Sequence, residues 1–115
     1  MDLDRAGFEA LVEQALDEIP DEIAALVHNV VVLVEDEPLP DDPDLLGVYD
    51  GTPLTQRDGW YSMVTPDTIT VFRRPTLEMC DSEEEVVREV GITVVHEIAH
   101  HFGIDDDRLH ELGYA

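Results

Sequence analysis

The chain predicts an α+β fold, on three observations. Apolar residues recur at helical spacing near both ends, β-branched runs lie between them, and a His-Glu-x-x-His stretch near the end has meaningful spacing only on a helix. At 115 residues there is material for one modest core and no room for a separate substrate domain, so residues 1–115 are expected to form a single domain. The expected order is an N-terminal helix, a small mixed β-sheet, a long helix carrying the motif, and a short C-terminal helix.

From Asp4 to Ile19, the residues Phe8, Leu11, Val12, Ala15, Leu16 and Ile19 fall on one helical face with acids opposite. Pro20 interrupts that helix, and Pro20-Asp21-Glu22 can open a second short turn through Ala25, because proline tolerates the first helical position. The period then changes. Val27 to Val34 is a β-branched run closed by acids and Pro38, and it predicts a central strand. His28 at its start reads as structural or surface, since no ligand spacing ties it to another candidate. Pro38 to Pro43 is a Pro/Asp linker too polar for a sheet interior. Beyond it, Leu45 to Tyr49 suggests a short strand, Asp50-Gly51 a turn, and Leu54 to Gly59 a loop returning through Trp60-Tyr61-Ser62-Met63-Val64. Thr68 to Phe72 is a clearer strand, ended by Arg73-Arg74-Pro75. Those two arginines, among only six basic residues, suit either anchoring of a substrate carboxylate or ion pairing with the abundant acids.

Ser82-Glu83-Glu84-Glu85 is a capping-box pattern, with acids where the positive end of a helix dipole favours them. Val86, Val87, Val90, Val94, Val95, Ile98 and Phe102 then supply buried positions along the helix. Gly91-Ile92-Thr93-Val94-Val95 has poor helix propensity and reads locally as strand. Strand geometry, however, would put His96 and His100 too far apart to share an ion, so the motif decides for helix and tertiary packing must hold it. After Gly103, Asp107 to Leu112 predicts a short terminal helix.

The chemistry lies in His96-Glu97-Ile98-Ala99-His100-His101-Phe102-Gly103-Ile104-Asp105-Asp106. Residues four apart on a helix stack on one face, so His96 and His100 can aim two imidazoles at one cation with Glu97 beside them. Gly103 can take the left-handed conformation that ends a helix, letting Asp106 swing back as a third ligand. Two nitrogens and one carboxylate leave a fourth tetrahedral position for water, the pattern of a catalytic zinc site. From the chain's own composition an accidental His-Glu-x-x-His arises roughly 2 times in 100, and requiring Gly103 and Asp106 as well lowers this to roughly 2 in 10,000. Asp105, His110 and Glu111 remain alternatives to Asp106. His101, about 100° around the helix from His100, is expected to cap the negative helix end, and His110 to face solvent.

With these residues in view, the chain resembles the minimal zincin-like metallopeptidases, small bacterial proteins described as matrix-metalloprotease-like. The resemblance runs through Leu46-Gly47-Val48-Tyr49, Gly51-Thr52-Pro53-Leu54-Thr55, Ile69-Thr70-Val71-Phe72-Arg73-Arg74-Pro75 and Ile92 to Gly113. It implies a zincin-like domain in which His96, His100 and Asp106 hold Zn2+ and Glu97 is the general base. It also implies a sheet edge beside the cleft that pairs with extended peptide, placing the substrate wall in Leu45 to Val64 or the strand after it, with Trp60 and Tyr61 as lining or as core. Unlike metzincins proper, the chain has no Met after the motif, so the floor of the site must come from Leu109 to Ala115 or from upstream elements. Tyr49, Tyr61 and Tyr114 are equal candidates for donating to an oxyanion.

A net charge of −22, with no Lys, repels phosphate backbones and anionic membranes, so the expected partner is a peptide or protein substrate and neither nucleic acid nor membrane. Acidic clusters such as Glu35-Asp36-Glu37, Asp41-Asp42 and Asp105-Asp106-Asp107 read as solvated surface or as attractors of cations. The lone Cys80 excludes an intrachain disulfide and reads as a small apolar filler. With no cationic leader and no long apolar run, a soluble cytoplasmic protein is expected. Zinc-dependent peptide hydrolysis leads two competitors: a non-catalytic metal-binding module, and a metal-dependent endoribonuclease, which Glu97 and the charge disfavour.

Overall fold

The computed structural model describes residues 1–26, 30–51 and 67–114; within them helices and a small mixed sheet alternate as the sequence predicts. The structure is built on α4 (Glu83–Phe102), a helix of 20 residues, roughly 30 Å long. Ser82 caps it, its hydroxyl accepting from the Glu85 N–H at 3.2 Å, and Gly103 ends it at φ 72°. Val86, Val90, Val94, Val95, Ile98 and Ala99 are each at most 1% exposed, so the stretch that reads locally as strand becomes helix because one of its faces is wholly buried. Phe102 departs from expectation at 44% exposed. It lies on the last turn, at the very end of the buried stripe.

α1 (Arg5–Asp17) packs along α4 through Phe8, Leu11, Val12 and Ala15, and Asp4 caps it by accepting from Gly7 N–H at 2.7 Å. Pro20 stands just before α2 (Asp21–Ala24), whose Ile23 is fully buried. On another side of α4 lies a sheet of β1 (Val30–Glu35), β2 (Gly47–Asp50) and β3 (Asp67–Phe72), in the order β1-β3-β2. β1 runs parallel to β3, with Val30 opposite Asp67 and Glu35 opposite Phe72, while β2 runs antiparallel, with Gly47 opposite Val71.

The predicted centrality of the first strand is corrected here. β3 is the middle strand among the described residues, with Ile69 and Val71 fully buried, and β1 is an edge. On β1 Val34 is buried, but Val31 and Leu33 are 41% and 45% exposed. A β-branched run reports fitness for a pleated surface and cannot distinguish one covered face from two. His28 and the start of that run lie outside the described residues, as do Trp60 and Tyr61.

Where the sequence predicts only an end to β3, the chain turns at once into α3 (Arg73–Glu78), whose Pro75, Thr76 and Leu77 are buried. Proline near a helix start is permissible because the first N–H groups have no intrahelical partner. Arg73 pairs with Asp36 at 2.8 Å and donates to the Leu3 carbonyl at 2.6 Å; Arg74 pairs with Glu37 and with Glu78, at 2.9 Å, and donates to the Pro43 carbonyl at 2.6 Å. Arg73 thus ties α3 to Asp36 and to the N-terminal segment, and Arg74 ties it to both ends of the linker, in line with the ion-pairing reading. Cys80 is 1% exposed within the core, and burial pushes its thiol pKa up.

α5 (Asp106–Leu112) closes the chain, with Asp105 as its cap and Leu109 in the core. Arg108 fixes it to α2 by a two-pronged contact with Glu22 and holds Glu111 at 2.6 Å. No helix among the described residues is long and apolar enough to cross a membrane.

β2 reaches α4 through a position that has no side chain. A Cβ added at Gly47 would lie 2.6 Å from Thr93 Cγ2 and 3.1 Å from the Thr70 carbonyl oxygen. Gly47→Val is therefore expected to lower the unfolding free energy by about 1–3 kcal/mol, seen as a reduced urea midpoint at unchanged slope. A wild-type midpoint would mean that β2 does not sit against α4.

Candidate metal centre

The buried stripe of α4 fixes the azimuth of everything else on that helix. With Val95, Ile98 and Ala99 facing inward, His96 and Glu97 emerge half-buried at its border and His100 is exposed one turn on. The His96 and His100 rings meet edge to face, with centroids 6.2 Å apart and planes at 82°. Two imidazoles bound to zinc at about 2.0–2.1 Å have ring centres roughly 5 Å apart, about 1 Å closer than this pair. Two imidazoles on successive turns thus suit zinc in donor type and spacing.

Asp106 is exposed at the first position of α5, immediately after the Asp105 cap, whose carboxylate accepts from Arg108 N–H at 2.9 Å. Among the described residues no third His, Cys, Asp or Glu gathers with the two histidines into a group able to hold a metal. Asp105 is occupied as a helix cap, Glu111 pairs with Arg108, and His110 is exposed as expected.

Glu97 and His96 open onto a cleft of about 380 Å³. Its other wall is the segment leading into β2, with Asp42, Asp44, Leu45, Leu46 and Gly47, and Ile92 and Thr93 complete it from α4. The Glu97 carboxylate has no hydrogen bond or ion pair with any described residue. In sequence the acidic cluster around Asp42 reads as solvated surface or as an attractor of cations, and nothing local announces that a loop some fifty residues upstream faces the motif.

His101 does something other than cap the helix. The helix end is closed by main-chain bonds to the Ala99 carbonyl, from Gly103 and from Ile104 at 2.9 Å. The His101 ring instead stacks on Tyr49 of β2, at 4.1 Å between centroids and 14° between planes. Tyr49 in turn donates its hydroxyl to Asp67 Oδ2 at 2.7 Å, tying strand, helix and the start of β3 together. Tyr114 donates its hydroxyl to the Glu18 carbonyl at 3.2 Å, so neither of these tyrosines holds a free hydroxyl for an oxyanion; Tyr61 lies outside the described residues. The contact least visible in sequence is the Tyr114 carbonyl, which accepts from His96 Nε2 at 2.5 Å.

Burial, and then the neighbouring Asp67 carboxylate, push the Tyr49 hydroxyl from the usual 10 up to about 12. A raised folded-state pKa stabilises the fold below the unfolded value and is lost as pH rises toward the folded one. Unfolding free energy is thus expected to fall between about pH 10 and pH 12, with a shallower fall in Tyr49→Phe, as read from urea titrations across that range. Identical slopes in the two proteins would contradict the Tyr49–Asp67 contact.

A family model for zincin-like metallopeptidases matches residues 27–114. The structure is similar to that of a conserved hypothetical protein from T. thermophilus, with a TM-score of 0.57 and 26% sequence identity over 87% of this chain and 94% of that one. No curated protein matches it. Because the matched span takes in the sheet, the motif helix and the C-terminal turn, the chain belongs to the zincin-like metallopeptidase family.

Proposed function

We propose that this protein hydrolyses peptide bonds with zinc held by His96, His100 and Asp106 and with Glu97 as general base. The observation that carries the reading is Glu97 itself. It is half-buried, unpaired among the described residues, next to the two imidazoles and open to the cleft. A structural carboxylate in that position is expected to have a partner, since burying an unpaired charge is costly. Zinc, when bound, lowers the pKa of water toward about 7 and polarises a carbonyl. Glu97 takes the proton from the attacking water and delivers it to the leaving amine. His96 and His100 supply neutral nitrogen donors from a helix that packing holds rigid. Asp106 as third ligand rests on its ten-residue offset from His96 in the extended motif and on the left-handed Gly103 that turns the chain after the helix.

The substrate is a peptide or protein segment in extended form. Gly47 at the start of β2 lines the cleft, and among the described residues β2 pairs only with β3, leaving its other edge for main-chain pairing. A second reading, a metal-binding module without turnover, draws support from the tyrosine hydroxyls: Tyr49 and Tyr114 are both committed elsewhere.

Glu97→Gln separates the two. Turnover on a peptide library is expected to fall by about 10²–10⁴-fold with zinc content unchanged, as removal of a general base requires. Equal turnover in both proteins removes Glu97 from the chemistry, and absence of cleavage by metal-loaded wild type selects the binding module. His100→Ala is expected to abolish stoichiometric zinc, measured by elemental analysis after dialysis.

A further inference from the structure

β1 borders the sheet on the side away from β2, and its outer main-chain groups meet no strand among the described residues. Arg5 reveals which groups these are. Its guanidinium donates to the Val34 carbonyl, so that carbonyl points away from β3. On a strand a residue's N–H and C=O point to the same side, and residues two apart repeat the direction. The Val34 N–H and both main-chain groups of Val32 therefore face outward, and among the described residues nothing pairs with them.

Between this edge and α1 lies a groove of about 490 Å³. Val12 and Leu16 from α1 and Val32 and Leu33 from β1 supply its apolar lining. Its charge is acidic. Glu9, Glu13 and Glu35 are exposed along it; Glu9 shares Arg5 at 3.1 Å, whereas Glu13 and Glu35 have no ion pair among the described residues. From Val32 to Glu35 the strand offers roughly 10 Å of edge. Native proteins usually cover or charge such an edge, and here Arg5 guards only one of its four outward groups.

We propose that the groove between α1 and β1 receives an extended, Lys- or Arg-bearing segment of a partner protein, which adds to β1 as a further strand. The open groups of Val32 and Val34 supply main-chain pairing, Leu16 and Leu33 meet the segment's apolar side chains, and Glu13 and Glu35 meet its cations. A second copy of this chain is the poorer occupant, because two chains of net charge −22 repel and the acids that follow Val34 would face their own kind. This border of the sheet is the opposite one from the cleft at Gly47, so the proposal stands whether or not the protein hydrolyses peptides.

Titration of ¹⁵N-labelled protein with a capped octapeptide of alternating lysine and valine, at about 150 mM salt, tests it. Amide shifts are expected at Val32, Val34 and the turn of α1 around Glu13, and exchange of the Val32 and Val34 N–H groups is expected to slow about tenfold or more. Joint Glu13→Gln and Glu35→Gln substitution, at exposed positions that leave the fold intact, is expected to weaken binding about 3–20-fold. The same peptide N-methylated throughout keeps its charge but loses every main-chain donor, and it is expected to bind about tenfold more weakly or worse. Equal affinity of the methylated peptide, shifts spread over the acidic surface or gathered at Gly47, or no shift at about 1 mM peptide overturns the proposal. A dimer that forms without peptide and protects the Val32 and Val34 amides assigns the edge to a second copy, and overturns it likewise.

Discussion

Everything in this structure depends on the azimuth of one helix. A stripe of valines, Ile98 and Ala99 is driven against α1 and the sheet, and this burial overrides poor local propensity between Gly91 and Val95. Once that stripe is fixed, the helical period leaves no freedom for the polar residues between its members. His96 and His100 must share a face one turn apart, and Glu97 must sit beside them. The hydrophobic effect, which is not directional, thereby sets the direction of the imidazoles.

The surrounding elements hold this helix against the wall that faces it. Gly47 permits contact between β2 and Thr93 that any side chain would prevent, the Tyr49–His101 stack clamps the same strand to the last turn, and the C-terminal turn reaches His96 from the other end of the fold. In a chain with 28 acids and six Arg or Lys, few of these restraints are ionic; Arg73 and Arg74 join α3 to the residues that follow β1, and Arg108 joins α5 to α2.

Features with a local cause were legible in the sequence. The Ser82 cap, the left-handed Gly103, the first helix and the strands around Gly47 and Ile69 each follow from a few adjacent residues, and the structure has them within a residue or two. What required knowledge of the partner was not legible. Arg73-Arg74-Pro75 reads as a stop, yet it opens a helix because Pro75 falls in a first turn that needs no N–H. The edge position of β1, the exposure of Phe102 and the stacking of His101 depend on what lies opposite each of them. At the site, the motif placed His96, Glu97 and His100 along one border of α4, while the cleft wall at Asp42 to Gly47 and the Tyr114 carbonyl became visible only when distant segments were brought together.

The central claim is that two imidazoles from successive turns of α4 grip one zinc ion. Zinc K-edge X-ray absorption on the loaded protein tests it most directly. A four-coordinate nitrogen and oxygen shell with the outer-shell scattering of two imidazole rings is expected; a shell of oxygen donors without imidazole scattering would contradict it.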